Sequence, residues 1–318
     1  MRRYVDCGNV LDQVTFTRMK SSATALNSTA AFEKSWAAVL ADLVKARLTL
    51  LVLLTTCVGF YVGEQGTVNW LLMFHVVFGT ALVAGGAAAL NELLEREHDA
   101  KMRRTASRPL PSGRLQPTTV AIFGGVCSVA GLIYLAVLVN LLTSVLGAVT
   151  SISYLFIYTP LKRVSWTNTL VGAIPGALPP LMGWTAARNE LNGEGWILFA
   201  VLALWQIPHF MAIAWLYRDE YAKAGFVMLP NVDTDGSRTA QYAVANTALL
   251  FIASLCPFVL KMNGAVYLAT AILLGGAYFW CALRFARQLT AKRARQLFLA
   301  SIVYLPLLLL AMVCDKLK

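Results

Sequence analysis

Runs of about twenty apolar residues recur nine times along this chain, at roughly 47–64, 68–92, 117–139, 141–160, 166–187, 196–216, 240–260, 263–284 and 296–314. Twenty residues is the length an α-helix needs to cross the hydrocarbon of a bilayer. No water reaches the backbone there, so each run must satisfy its own N–H and C=O groups by coiling into a helix. Only 14% of the residues are charged, against about 25% in an average soluble domain. The chain therefore reads as an all-α membrane protein with nine transmembrane helices. Residues 1–45 stand apart as a polar N-terminal tail, and 46–318 as one polytopic domain. The tail is too polar for a signal peptide. It mixes Asp6 and Asp12 with Arg2, Arg3, Arg18 and Lys20, so a cytoplasmic tail ranks above a mitochondrial presequence.

A net charge of +11 could suggest nucleic acid, but its distribution argues against that partner. Twenty-three Lys and Arg fall in the tail and in alternate loops, and four on the other side: Arg188, Lys261, Lys316 and Lys318. Such bias places the N-terminus and the loops 2–3, 4–5, 6–7 and 8–9 in the cytoplasm. The expected location is a bacterial inner membrane, with the mitochondrial inner membrane as the alternative. The six cysteines (7, 57, 127, 256, 281 and 314) form no CxxC pair, and the three histidines form no HxxxH pair. A disulfide framework and a zinc site are both disfavoured.

The second apolar run continues into NELLEREHDAKMRRTASRPL. Asn91, Glu95 and Asp99 are spaced i, i+4, i+8, which aligns three oxygen-bearing side chains on one helix face. Hard oxygens in a row suit Mg²⁺, which favours carboxylates together with the oxygens of a phosphorylated substrate. Arg104 and Arg108 follow, and guanidinium groups suit phosphate. An acidic ladder beside a cationic cluster at a membrane edge is what an enzyme handling a lipid diphosphate needs. Loop 6–7, YRDEYAKAGFVMLPNVDTDGSR, lies four spans later on the same side and again joins acids, bases and a proline. The pattern predicts two pseudo-repeated four-helix halves around a central cavity, with one extra C-terminal helix.

These features resemble the intramembrane aromatic prenyltransferase superfamily. Within it they match the haem O synthase branch, through NxxxExxxDxxMxRTxxRPL over 91–110, YTPLKR at 158–163, WQIPHF at 205–210 and YRDEYAKAGFVMLP at 217–230. The resemblance covers the chain from about residue 40 onward. It implies farnesyl diphosphate and haem B as substrates. It implies Mg²⁺ held by Asn91, Glu95 and Asp99, and a second acid at Glu220 with Asp219 as near competitor. A haem A synthase is implied as a candidate partner. Arg104, Arg108 and Lys162 are the cationic partners for phosphate. Tyr154, Tyr158, Trp205 and Tyr217 can wall a chamber for an allylic cation, because aromatic faces stabilise cations.

Blander readings stand beside these. Acids and bases at a helix end are often a solvated, salt-bridged surface. Arg103 and Arg114 fit topology better than ligation. His209, inside the sixth span, can ligate haem iron or hydrogen-bond a neighbouring helix. His75 reads as structural, His98 has no assigned role, and Asp233 and Asp235 read as turn residues. Rival functions are a prenyltransferase for a quinone or chlorophyll precursor, and a transporter. A transporter would be expected to carry charges deep within its spans; here the charges gather at one face.

Overall fold

A computed structural model describes residues 35–317. The tail expected over 1–45 lies, up to residue 34, outside the described residues. Trp36–Leu43 form a helix, α1. Residues from Ala41 onward make one compact unit, and Ser35–Leu40 belong to another.

Among the described residues nine helical segments are long and apolar enough to cross a membrane. They are α2 (Ala46–Gly63), α3 (Trp70–Asp99), α4 (Pro117–Leu138), α5 (Leu141–Ile152, prolonged to Leu161), α6 (Asn168–Arg188), α7 (Gly193–Leu216), α10 (Ser237–Val259), α11 (Ala265–Arg287) and α12 (Ala291–Cys314). Two short helices, α8 (Arg218–Ala224) and α9 (Leu229–Val232), lie in the loop after α7. The nine expected spans correspond one to one, and α3 carries the motif on a single 30-residue helix. The largest shift of a helix start is at α12, which begins five residues before the apolar run. Thr290 caps it by accepting from the Arg293 N–H, so the helix starts among basic residues that hydropathy alone leaves out.

Neighbours in sequence are mostly neighbours in space: α3 packs on α4, α4 on α5, α10 on α11, and α11 on α12. The centre is made by α6, which packs on α2, α5 and α7. Its approach to α2 is backbone against backbone. A Cβ on Gly59 would meet the Pro180 carbonyl oxygen at 2.0 Å, and one on Gly183 would meet the Thr56 carbonyl at the same distance. The outer helices turn apolar side chains outward: Ile122, Val126, Val129, Ile133 and Val137 of α4 are all exposed at helical spacing, as a lipid-facing stripe requires.

The seam between the first and last spans is tied at the end remote from the motif. Lys316 Nζ donates to the carbonyls of Tyr61 (2.7 Å) and Glu64 (2.6 Å), while Asn263 and Lys316 pair as a short β-bridge. α12 also packs on α2.

Candidate active site

The oxygen ladder sits where the spacing puts it, on the inner face of α3. Asn91, Glu95 and Asp99 are buried, and each meets a cation from a different segment. Lys45, between α1 and α2, donates to Asn91 Oδ1. Lys162, just past α5, donates to Glu95 Oε1 at 2.7 Å. Arg108 pairs with Asp99 Oδ2 at 2.5 Å. Among the described residues no three His, Cys, Asp or Glu side chains gather as a ready-made metal cluster. The donor set is two carboxylates and one amide oxygen, and the three cations hold those oxygens.

Local structure places each cation. Pro160 has no N–H to offer, and helices adjust before a proline. Here Ser153–Tyr158 widen into a π-helical stretch, a form that recurs at functional sites. Tyr154 and Tyr158 stack, with centroids 5.7 Å apart. The Thr159 hydroxyl donates to the Tyr154 carbonyl (2.8 Å) and accepts from Asn91 Nδ2 (2.9 Å). One turn on, the Lys162 ammonium lies 4.5 Å from the centre of the Tyr158 ring. Burial opposes its charge, but Tyr158, Glu95 and Tyr154 outweigh that effect and raise its pKa above the ordinary lysine range. Lys45 is drawn the other way. Burial, then repulsion from Arg108, lowers its ammonium to about 8.

The loop from 100 to 116 is fastened at three points. Thr105 Oγ1 donates to the Asp99 carbonyl (2.8 Å), Arg108 pairs with Asp99, and the Leu110 N–H donates to Glu92 Oε1 (2.9 Å). Met102 is buried with Phe226, Met228, Ala214 and Ala224, so the loops after α3 and α7 pack on each other. Arg104 reaches the Tyr221 hydroxyl at 3.2 Å and lies over the rings of Tyr217 and Tyr221. The Val227 N–H donates to the Lys162 carbonyl at 2.7 Å, which joins the loop after α5 to the same cap.

Below this cap lies a cavity of about 400 Å³. Its charged rim holds Glu95, Asp99, Arg104, Arg108 and Lys162, with Lys45 further in; its depth is lined by Ala84, Ala88, Val52, Met182 and Leu202. Tyr154, Tyr158, Trp205, Tyr221 and His209 add aromatic wall. His209 stacks on Trp205 at 4.9 Å and bonds through Nδ1 to Ser301 Oγ at 2.6 Å. The Ser301 hydroxyl also reaches the Phe298 carbonyl, so His209 and the serine join α7 to α12.

The structure does not bring Glu220 to this rim. α7 stops at Tyr217, whose φ of −115° and ψ of 21° break it, and α8 sets off anew. On α8 Tyr221 lines the cavity; Glu220 is half-buried outside the lining, and the Asp219 side chain is 88% exposed. Tyr217 is exposed and meets the site only through Arg104. Sequence reasoning missed Lys45, counted there among the topology charges, together with Glu92, Tyr221 and Phe226. It assigned His75 and Asp233 well: His75 bonds Tyr134 at 2.8 Å, and Asp233 caps α10 through Thr239.

A buried ladder of hard oxygens held by three cations stands at the mouth of an apolar, aromatic chamber between membrane-spanning helices. The UbiA prenyltransferase family model matches residues 52–305, and the chain belongs to that family. Protoheme IX farnesyltransferase of Solibacter usitatus is 46% identical over 284 residues, 86% of this chain and 97% of the relative. That of Koribacter versatilis is 46% identical over 286 residues, 86% of this chain and 92% of the relative. The fold is shared with digeranylgeranylglyceryl phosphate synthase, at a TM-score of 0.75 with 17% identity, over 87% of this chain and 97% of that one. A UbiA homolog from Archaeoglobus fulgidus, solved with GPP and Mg²⁺, superposes at a TM-score of 0.60 with 15% identity, over 86% and 99% of the two chains.

Proposed function

We propose that this chain transfers the farnesyl group of farnesyl diphosphate to a vinyl carbon of haem B, with addition of water, giving haem O and diphosphate. One observation carries the reading of the site: a buried oxygen ladder matched cation for cation, at the mouth of an apolar aromatic cavity. The haem acceptor rests on the relatives' names and on the motifs they explain.

The residues present fit Mg²⁺. Two buried carboxylates supply formal charge −2, and all three donors are hard oxygens, as Mg²⁺ prefers. A divalent cation at Asn91, Glu95 and Asp99 supplies charge neutralisation for the leaving diphosphate. Lys162 and Arg108 are then the near cations for phosphate oxygens, with Arg104 at the outer rim. The C1–O bond of farnesyl diphosphate breaks with its electron pair on oxygen. The vinyl π pair forms the new carbon–carbon bond, and water adds to the resulting cation with loss of a proton. Tyr158 and Tyr154 present ring faces beside the site of positive charge, and the apolar walls exclude stray water. His209, in the cavity lining, is assigned to the haem, whose iron one of its ring nitrogens would bind. Glu220 keeps a role in holding a second metal on the resemblance alone, and would need α8 to turn inward. The charge bias supports a cytoplasmic N-terminus, and the reading puts the chain in a bacterial inner membrane.

The test is mass spectrometry of haem extracted after membranes holding this chain are incubated with haem B, farnesyl diphosphate and Mg²⁺. The expected product carries one farnesyl group and one hydroxyl group more than haem B. Unchanged haem B would refute the reading.

A further inference from the structure

Lys45 occupies a backbone conformation that its residue type rarely adopts. Its φ of 51° and ψ of 52° are left-handed, a conformation that crowds the Cβ of an L-residue against the following carbonyl oxygen. Neither glycine nor asparagine stands there. The strained turn between α1 and α2 sends a long cationic side chain inward, where a lipid-facing lysine would do nothing. Its ammonium reaches Asn91 Oδ1 and, at 3.4 Å, the Tyr154 hydroxyl. An ammonium has three N–H donors, and these two contacts leave one over, at the cavity wall.

Depth decides what that donor meets. Asn91 precedes Glu95 by four residues and Asp99 by eight. At 1.5 Å per residue, Lys45 therefore works about 6 Å deeper along α3 than Lys162 and about 12 Å deeper than Arg108. A prenyl chain must point into the apolar depth of the cavity, so the diphosphate lies on the rim side and C1 on the deep side. Arg108 and Lys162 face the outer phosphate oxygens. The cation nearest the ester oxygen that links phosphorus to C1 is Lys45.

Resting on the prenyl-diphosphate reading above, we infer that Lys45 is a catalytic residue: its ammonium hydrogen-bonds the ester oxygen of the allylic diphosphate and stabilises the charge developing there. The C1–O bond breaks, both electrons remain on the oxygen, and the donated hydrogen bond strengthens as that charge grows. The proton stays on Lys45 throughout. A contact stronger in the transition state than in the ground state raises kcat and leaves binding little changed.

The experiment compares wild type with Lys45→Asn, Lys45→Gly and Lys45→Arg in proteoliposomes. Asn and Gly both tolerate a positive φ, so they remove the charge and keep the turn; whichever accumulates to the wild-type level carries the test. Farnesyl diphosphate turnover is measured with saturating haem B. Binding is measured separately with farnesyl thiodiphosphate, in which sulfur replaces the ester oxygen. The charge-free variant is expected to lose at least about 100-fold in kcat, the scale of one oxyanion-type donor. Its KM for farnesyl diphosphate and its Kd for the thio analogue are expected to stay within about threefold of wild type. Lys45→Arg is expected to recover part of the lost kcat. A charge-free variant with kcat within threefold of wild type overturns the assignment. So does one that weakens analogue binding as much as it slows turnover, because Lys45 then only grips the substrate. Wild-type protein that consumes no farnesyl diphosphate overturns the reading of the whole site, a distinct outcome.

Discussion

The pair between Lys162 and Glu95 tests whether the ladder and its cations act as one unit. At 2.7 Å, with an effective dielectric constant near 20, the attraction is about 6 kcal/mol before any cost of desolvation. Removing two ions from water costs several kcal/mol each, so the intact pair contributes little net stability. Removing one partner is different, because it leaves the other charge buried and alone. The Lys162 side chain is 16% exposed and that of Glu95 4%. Glu95→Gln or Lys162→Met should each cost about 3 kcal/mol, the lower end of the range for a broken buried pair, since the cavity offers some relief. That corresponds to a fall of roughly 4–5 °C in the melting midpoint of a chain this long. The double variant removes both charges and should return to within about 1 kcal/mol of wild type. All three should turn over farnesyl diphosphate at least 100-fold more slowly. The assay is a double-mutant cycle on thermal unfolding in detergent, run beside turnover in proteoliposomes. Additive losses in the double variant would show that the two groups are not paired. Recovered turnover in the double variant would remove them from the chemistry.

Four further outcomes follow from the same geometry. Asp99→Ala or chelation of divalent metal should abolish haem O formation, and Mg²⁺ should restore the chelated wild type but not the variant; normal turnover by Asp99→Ala would remove it from the metal site. Glu92→Leu should loosen the Leu110 tie and raise KM for farnesyl diphosphate about tenfold, with KM for haem unchanged, while Glu92→Gln keeps an acceptor and stays near wild type; equal effects would refute the tie. His209→Ala should change the absorption spectrum of bound haem and leave farnesyl diphosphate affinity intact; a wild-type spectrum would make His209 a packing residue. A single cysteine at position 106 should resist labelling from outside the cell and one at 191 should react; the reverse pattern would invert the topology.

Much of this molecule was legible in advance because hydrocarbon leaves few options. An apolar run of the right length must be a helix, so span count and order could be read directly from composition along the chain. The ladder was legible because i, i+4, i+8 spacing has one meaning on a helix. Lys162 and Arg108 could be named as cations near the site, but their partners depend on packing between α3, α5 and the loop after α3. Lys45 was hidden because charge counting treats every lysine beside a span alike, and only the left-handed turn sends this one inward. The position of Glu220 outside the cavity lining was hidden for a related reason. A run such as WLYRDEY shows no proline or glycine to end a helix, yet the chain breaks at Tyr217, and Tyr221 rather than Glu220 lines the cavity.

The tie made by Lys316 has a consequence for how the protein comes into being. Its ammonium closes on Glu64, a residue made 252 positions earlier. At about 5–20 residues per second, the first span waits roughly 13–50 s on the ribosome's schedule before its partner exists. Leu51 and Val52 of that span, and Leu305 of the last, share the cavity wall. Until α12 inserts, the chamber therefore has an open side toward lipid, and a nascent chain stalled before that point would be an unfinished vessel with a complete set of ionic groups at its mouth.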